Sequence, residues 1–218
     1  MEIAYRPADR RLVLRYLGAA GWAPDAATAA LLDKAEALVR QAATPRGIWR
    51  PLPLAALDLQ AAGCDLARHL QGCQSLVYMA ATLGAGVDAL LRRLEVTDIA
   101  LCAAVDATAS AAIEPVCDAV EADARARVQA QGNFMTGRYS PGYGDCPLDL
   151  QAELCRALDT PRGIGLTVTP QKLLVPRKSV TAILGVADHP VAGARAGCTH
   201  CLLRETCAYR KRGTTCAN

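Results

Sequence analysis

Aromatic residues are scarce in this chain: one Phe, two Trp and six Tyr, 4% of 218 residues. So few flat faces leave little on which successive bases stack, and a net charge of only +3 offers no electrostatic footprint for a polyanion. Both absences argue against nucleic acid as a partner. The start, MEIAYRPADRRLVLRYLG, alternates charged and apolar residues and lacks the apolar core of a secretory signal. No uninterrupted apolar run approaches the roughly 18 residues of a membrane span. A phosphate-binding glycine loop is missing as well, since TLGAGVD carries two glycines but no lysine. These absences predict a soluble, cytoplasmic protein that engages neither membrane nor nucleic acid.

What is present is alanine and cysteine. Hydrophobic residues make up 52% of the chain, enough for a sizeable core, and the alanine share favours close-packed helices. Asp9 to Leu17 reads as a helix stopped by Gly18, and a second helix runs from Pro24 with Leu31, Leu32, Ala35, Leu38 and Val39 as its apolar stripe. RGIWRPLPL reads as extended, GCDLARHLQGC as a short helix between glycines, and QSLVYMAATLG as a buried strand. A long helical region follows, in which Pro115 is expected to kink or restart the helix. LDLQAELCRALD is a compact amphipathic helix, and GIGLTVTP and KSVTAILGV read as strands. The fold class is therefore α+β, with helices packed around a mixed or antiparallel sheet. Residues 1–193 form the expected domain, and 194–218 a cysteine-rich tail.

The densest chemistry lies in GRYSPGYGDCPLD, residues 137–149. Pro141-Gly142 signals a turn, with proline presetting the first corner and glycine taking the positive φ that follows. Bare backbone there allows close approach of a ligand. Arg138 suits bidentate pairing with a carboxylate, while Tyr139 and Tyr143 offer faces to a base or a sulfonium cation. S-adenosylmethionine has all three features. The alternative is a tight structural turn whose tyrosines only pack.

RYSPGYGDCP resembles the Arg-x-x-Pro-Gly-Tyr-x-x-Cys-Pro signature of the S-adenosylmethionine-binding activation domain of cobalamin-dependent methionine synthase. KSVTAILGVADHP (178–190) looks like that domain's later strand and His-Pro pair. YMAATLGAGVDALLRR and DATASAAIEPVCDAV look like stand-alone versions of it. The resemblance covers most of residues 1–190. It implies a reactivating accessory domain rather than an enzyme by itself, with no catalytic residue of its own. Such a domain binds S-adenosylmethionine and supports reductive methylation of cob(II)alamin. The cobalamin is carried by a separate partner, a methionine synthase core or another corrinoid protein, and an electron donor supplies one electron. On this chain the resemblance implies ligand contacts from Arg138, Tyr139, Ser140, Pro141, Gly142 and Tyr143. An acidic residue from Glu114, Asp118 or Glu121 is implied as well. Two positions depart from the pattern: Gly132 stands where the larger synthases carry glutamate, and no tyrosine follows Pro190 at the corresponding place.

Ten cysteines are many for a cytosolic chain. Cys198, Cys201, Cys207 and Cys216 gather in the basic tail with Arg195, Arg204, Arg210, Lys211 and Arg212. Four thiolates there suit an iron–sulfur cluster or tetrahedral zinc, with free or disulfide-linked thiols as the bland alternative and His200 as a substitute ligand. The tail supports a rival function, a cysteine-ligated iron–sulfur or zinc protein in electron transfer that binds no S-adenosylmethionine. Cys64, Cys73, Cys102, Cys117 and Cys155 read as core, Cys146 as packing rather than a nucleophile, and His69 as a helix cap or surface group.

Overall fold

The computed structural model describes residues 1–191, 193 and 205–207. Seven α-helices and six strands follow one another among them. Helices α1 (Arg10–Tyr16) and α2 (Ala26–Ala42) come first. Strand β1 (Arg46–Pro53), a 3-10 turn (Leu54–Ala56) and α3 (Cys64–His69) lead into β2 (Ser75–Thr82). Then come α4 (Ala85–Thr97), α5 (Ile99–Gln129) and β3 (Phe134–Met135). The chain closes with α6 (Leu150–Leu158), α7 (Thr160–Ile164), β4 (Thr167–Val168), β5 (Leu174–Val175) and β6 (Ser179–Ala187). A four-stranded sheet has the order β1-β2-β6-β3, with β3 and β6 antiparallel, and β4 and β5 form a separate antiparallel pair. The α+β expectation holds.

Side-chain caps explain the helix starts. Asp25 accepts from Thr28 N at 2.8 Å, so α2 begins after the aspartate and not at Pro24. The break in the long helical region falls at Asp98 instead of Pro115. Asp98 is extended, and its carboxylate accepts from Leu101 N at 3.0 Å, which caps α5. Pro115 lies inside α5, flanked by buried Ile113, Val116 and Cys117 whose packing holds the helix together. By length and composition α5 is apolar enough to cross a membrane, yet 61% of its most apolar window is buried inside the protein. The sequence shows no such run because Asp106 and Glu114 interrupt it.

The chain divides into two compact units, each drawn from three segments. The first takes residues 1–50, 79–124 and 151–181. In it α2 and α4 pack closely, with Leu32, Ala35, Val39, Val87 and Leu91 buried. Lys178 at the head of β6 pairs with Asp106 at 2.8 Å and donates to Ser110 Oγ at 2.8 Å, which ties that strand to α5. The second unit takes residues 51–78, 125–150 and 182 onward. Leu66, Leu70, Leu76, Val77, Ile183 and Leu184 form its core, and it contains the glycine-proline segment.

Candidate functional site

Three backbone features shape residues 137–146. Beside β6, Thr136 N donates to Gly185 O at 2.9 Å, in register with Phe134↔Ala187 and Met135↔Val186. Tyr139 then bridges Ile183, donating at 2.9 Å and accepting at 2.8 Å. Three steps from Thr136 to Tyr139 therefore face only two from Gly185 to Ile183. One extra residue is accommodated at Gly137-Arg138, a β-bulge, and bulges re-aim side chains next to sites. Arg138 is half-buried on this bulge, its backbone fixed on either side.

The turn comes next. Tyr143 N donates to Ser140 O at 3.2 Å, with Pro141 first and Gly142 second at φ +91°, the pattern of a type II turn. A second turn closes as Cys146 N donates to Tyr143 O at 3.0 Å, and Gly142 N donates to Cys146 O at 2.9 Å. Proline has no N–H and that of Gly142 is spent on Cys146. Pro141 is buried and Gly142 exposed, so the open backbone at Gly142 offers a ligand a carbonyl acceptor, which suits an amino group. Tyr143 is 60% exposed and meets the buried Tyr139 edge-on, with ring centroids 6.3 Å apart. Burial, aided by the nearby Asp65 carboxylate, pushes the Tyr139 hydroxyl up to about 12, so it stays protonated and donates to Tyr143 O at 3.2 Å.

Helix α3 holds this segment from the side. Its N-cap is Gly63, which has no side chain to cap with. The Asp145 carboxylate supplies the cap instead, accepting from Cys64 N at 2.7 Å and Asp65 N at 2.9 Å. Those N–H groups hold the Asp145 carboxyl below the usual carboxylate range. Gly144 is required here, because a Cβ on it would lie 2.2 Å from Asp65 Oδ2 and 2.9 Å from Tyr139 Oη. At the far end of α3, His69 is 2% exposed, and its Nε2 lies 3.0 Å from both Gly137 O and Thr136 Oγ1. It is not the surface group the sequence predicts. Arg125, near the end of α5, donates to Met135 O at 2.6 Å and Thr136 O at 3.0 Å. Sequence reasoning missed His69, Thr136, Asp145 and Arg125. Only the bare Gly63 cap hinted that an acceptor must come from elsewhere.

Arg138, Tyr139, Ser140, Pro141, Gly142 and Tyr143 thus stand together in the second unit. Glu114, half-buried, and Asp118, exposed, lie on the part of α5 that belongs to the first unit, as does the half-buried Glu121. Gly132 serves the backbone. At φ +78° it lets Gly132 N reach Gln129 O at 2.9 Å and Asn133 N reach Val128 O at 3.2 Å. This is a Schellman cap on α5, where a glutamate would be strained.

Of the tail cysteines only Cys207 is described, as a partly exposed free thiol; Cys198, Cys201, Cys216 and His200 lie outside the described residues. Among the described residues no three His, Cys, Asp or Glu side chains converge as a metal site. Cys73, Cys102, Cys117 and Cys155 are buried as expected, whereas Cys64 is exposed. Burial, with the negative charge of Asp145, pushes the Cys146 thiol up to about 11. At pH 7.5 about one Cys146 in a few thousand is then thiolate. Brief alkylation at that pH is expected to modify Cys64 and spare Cys146, read by peptide mapping. Equal labelling would mean that the loop is open.

The chain is similar to a solved structure of the MetH reactivation domain bound to AdoHcy, with a TM-score of 0.59 and 16% sequence identity. The match spans 95% of this chain and 82% of that one. The chain shares its fold with the MetH reactivation domain. No family model and no curated protein matches the sequence. The reactivation-domain fold therefore rests on the course of the backbone, and at this identity the likeness speaks to fold alone.

Proposed function

We propose that the chain binds S-adenosylmethionine through Arg138 and the Ser140–Tyr143 turn, and supports reductive methylation of a corrinoid carried by a separate protein. The partner is a cobalamin-bearing methionine synthase core or a related corrinoid protein, with an electron donor as the third component, in a cytoplasmic setting. The observation that carries this reading is the bulge followed directly by the turn. A guanidinium, a carbonyl acceptor at the exposed Gly142 and an exposed tyrosine face lie within six consecutive residues. These groups fit the ligand's chemistry: Arg138 for the carboxylate, the Gly142 carbonyl for an amino group, and Tyr143 for a base or sulfonium. The shared fold with a reactivation domain bound to AdoHcy supports the same reading. When bound, S-adenosylmethionine brings an electrophilic methyl group on a sulfonium. The chain's own residues hold and orient it and leave redox chemistry to the partners.

Calorimetric titration of the anaerobically purified full chain with S-adenosylmethionine tests this directly. Saturable one-site binding is expected, weakened about threefold to tenfold in Tyr143→Ala through loss of the cation–π face. A folded wild type that gives no binding heat and no ligand-induced rise in melting temperature would leave the turn purely structural.

A further inference from the structure

We infer that α3 positions the ligand turn and that His69 is its positioning residue, a role that rests on the proposed function and touches no ligand itself. The two ends of this one short helix grip the two ends of the 137–145 segment. The N–H groups of Cys64 and Asp65 hold the Asp145 carboxylate at 2.7 and 2.9 Å, and His69 holds the Gly137 carbonyl at 3.0 Å.

The His69 contact governs Arg138 through peptide geometry. A carbonyl oxygen only accepts, so the Gly137 contact takes the tautomer that carries a proton on Nε2. The Gly137 carbonyl belongs to the planar peptide that joins Gly137 to Arg138. Pinning that oxygen fixes the plane from which the Arg138 side chain departs. Gly137 is otherwise the soft joint of the bulge: nothing lies within 4 Å of where its Cβ would be, and glycine has the widest backbone freedom of any residue. The neighbouring Thr136 hydroxyl completes the lock, accepting from Gly185 N at 2.8 Å and donating to Gly137 O at 3.0 Å. The His69 ring also stands 5.1 Å from that of Tyr139, tilted by 51°. One buried imidazole thus reaches both residues that flank Arg138.

Two substitutions separate positioning from packing. His69→Leu keeps most of the volume and removes the donor, whereas His69→Gln restores an N–H at similar reach. On the full chain, S-adenosylmethionine affinity is read by calorimetry, and amide exchange is followed over 137–146, with β2 as the internal reference. In His69→Leu, affinity is expected to fall about tenfold and exchange over 137–146 to quicken about tenfold, the worth of one buried hydrogen bond, with β2 unchanged. His69→Gln is expected to return both readouts to within about threefold of wild type. A Leu variant that matches wild type in both readouts would overturn the inference. So would a Gln variant that fails alongside it with β2 exchange also raised, since His69 would then serve packing alone. If the wild type itself binds no S-adenosylmethionine, the proposed function falls. The exchange pattern still decides whether His69 sets the loop.

Discussion

An Arg138→Ala protein is expected to bind S-adenosylmethionine about a hundredfold more weakly than wild type while melting within about 2 °C of it. The size follows from the interaction at stake: a charge-assisted, two-pronged contact to a carboxylate is worth about 1.5–3 kcal/mol when lost, or roughly ten- to a hundredfold in affinity. The backbone should tolerate the change because the bulge is held from both sides. Thr136 is tied to Gly185 and Tyr139 to Ile183 by main-chain bonds that no side chain at 138 supplies. Arg138→Lys retains a charge but not the planar fork, so its affinity should lie between the two, about tenfold below wild type. Calorimetry beside a thermal melt distinguishes the causes. An Ala variant binding as tightly as wild type would remove Arg138 from the site, and a large fall in melting temperature would show that its work is structural.

Gly86→Ala is expected to lower the melting temperature by about 4–12 °C, the largest effect on stability predicted for this chain. Gly86 lies in the first turn of α4, and a Cβ built there would sit 2.3 Å from the carbonyl oxygen of Ala42, the last residue of α2. The obstacle is backbone, so no rotamer change relieves it. The helices must separate, which loosens the seam that Leu38 of α2 and Leu90 of α4 line beside Gly86. Overpacking of this kind costs about 3 kcal/mol, and each kcal/mol moves the midpoint of a chain this long by roughly 2–4 °C. Alanine's better helix propensity opposes this by at most about 1 kcal/mol, so the clash wins. An unchanged or raised midpoint would mean that the two helices do not approach as closely as this.

The turn at 140–143 was legible because its cause is local. Proline fixes one corner and glycine supplies the positive φ of the next, whatever the rest of the chain does. The helices and the buried strand β2 were legible for the same reason, since apolar spacing and caps act over a few residues. Asp98 belongs among such local signals: an aspartate just ahead of an apolar run starts α5, and it outweighed the expectation attached to Pro115. Gly132 shows how a departure from a motif gains its meaning only in place, as the residue that ends α5 at φ +78°.

The remaining decisions belonged to tertiary structure, because each depends on groups far apart in the chain. The bulge that re-aims Arg138 exists only relative to β6, and no feature of Gly137-Arg138 alone announces a register shift. His69 reads as a surface residue until Gly137 and Thr136, some 67 residues later in the chain, enclose it. Asp145 caps a helix that starts 81 residues before it, which no local pattern encodes. The sequence thus determined what the loop offers chemically, because side-chain type and turn preference are properties of neighbouring residues. Only the tertiary structure decided where those groups are held, because anchoring is set by hydrogen bonds between segments that the chain brings together by folding.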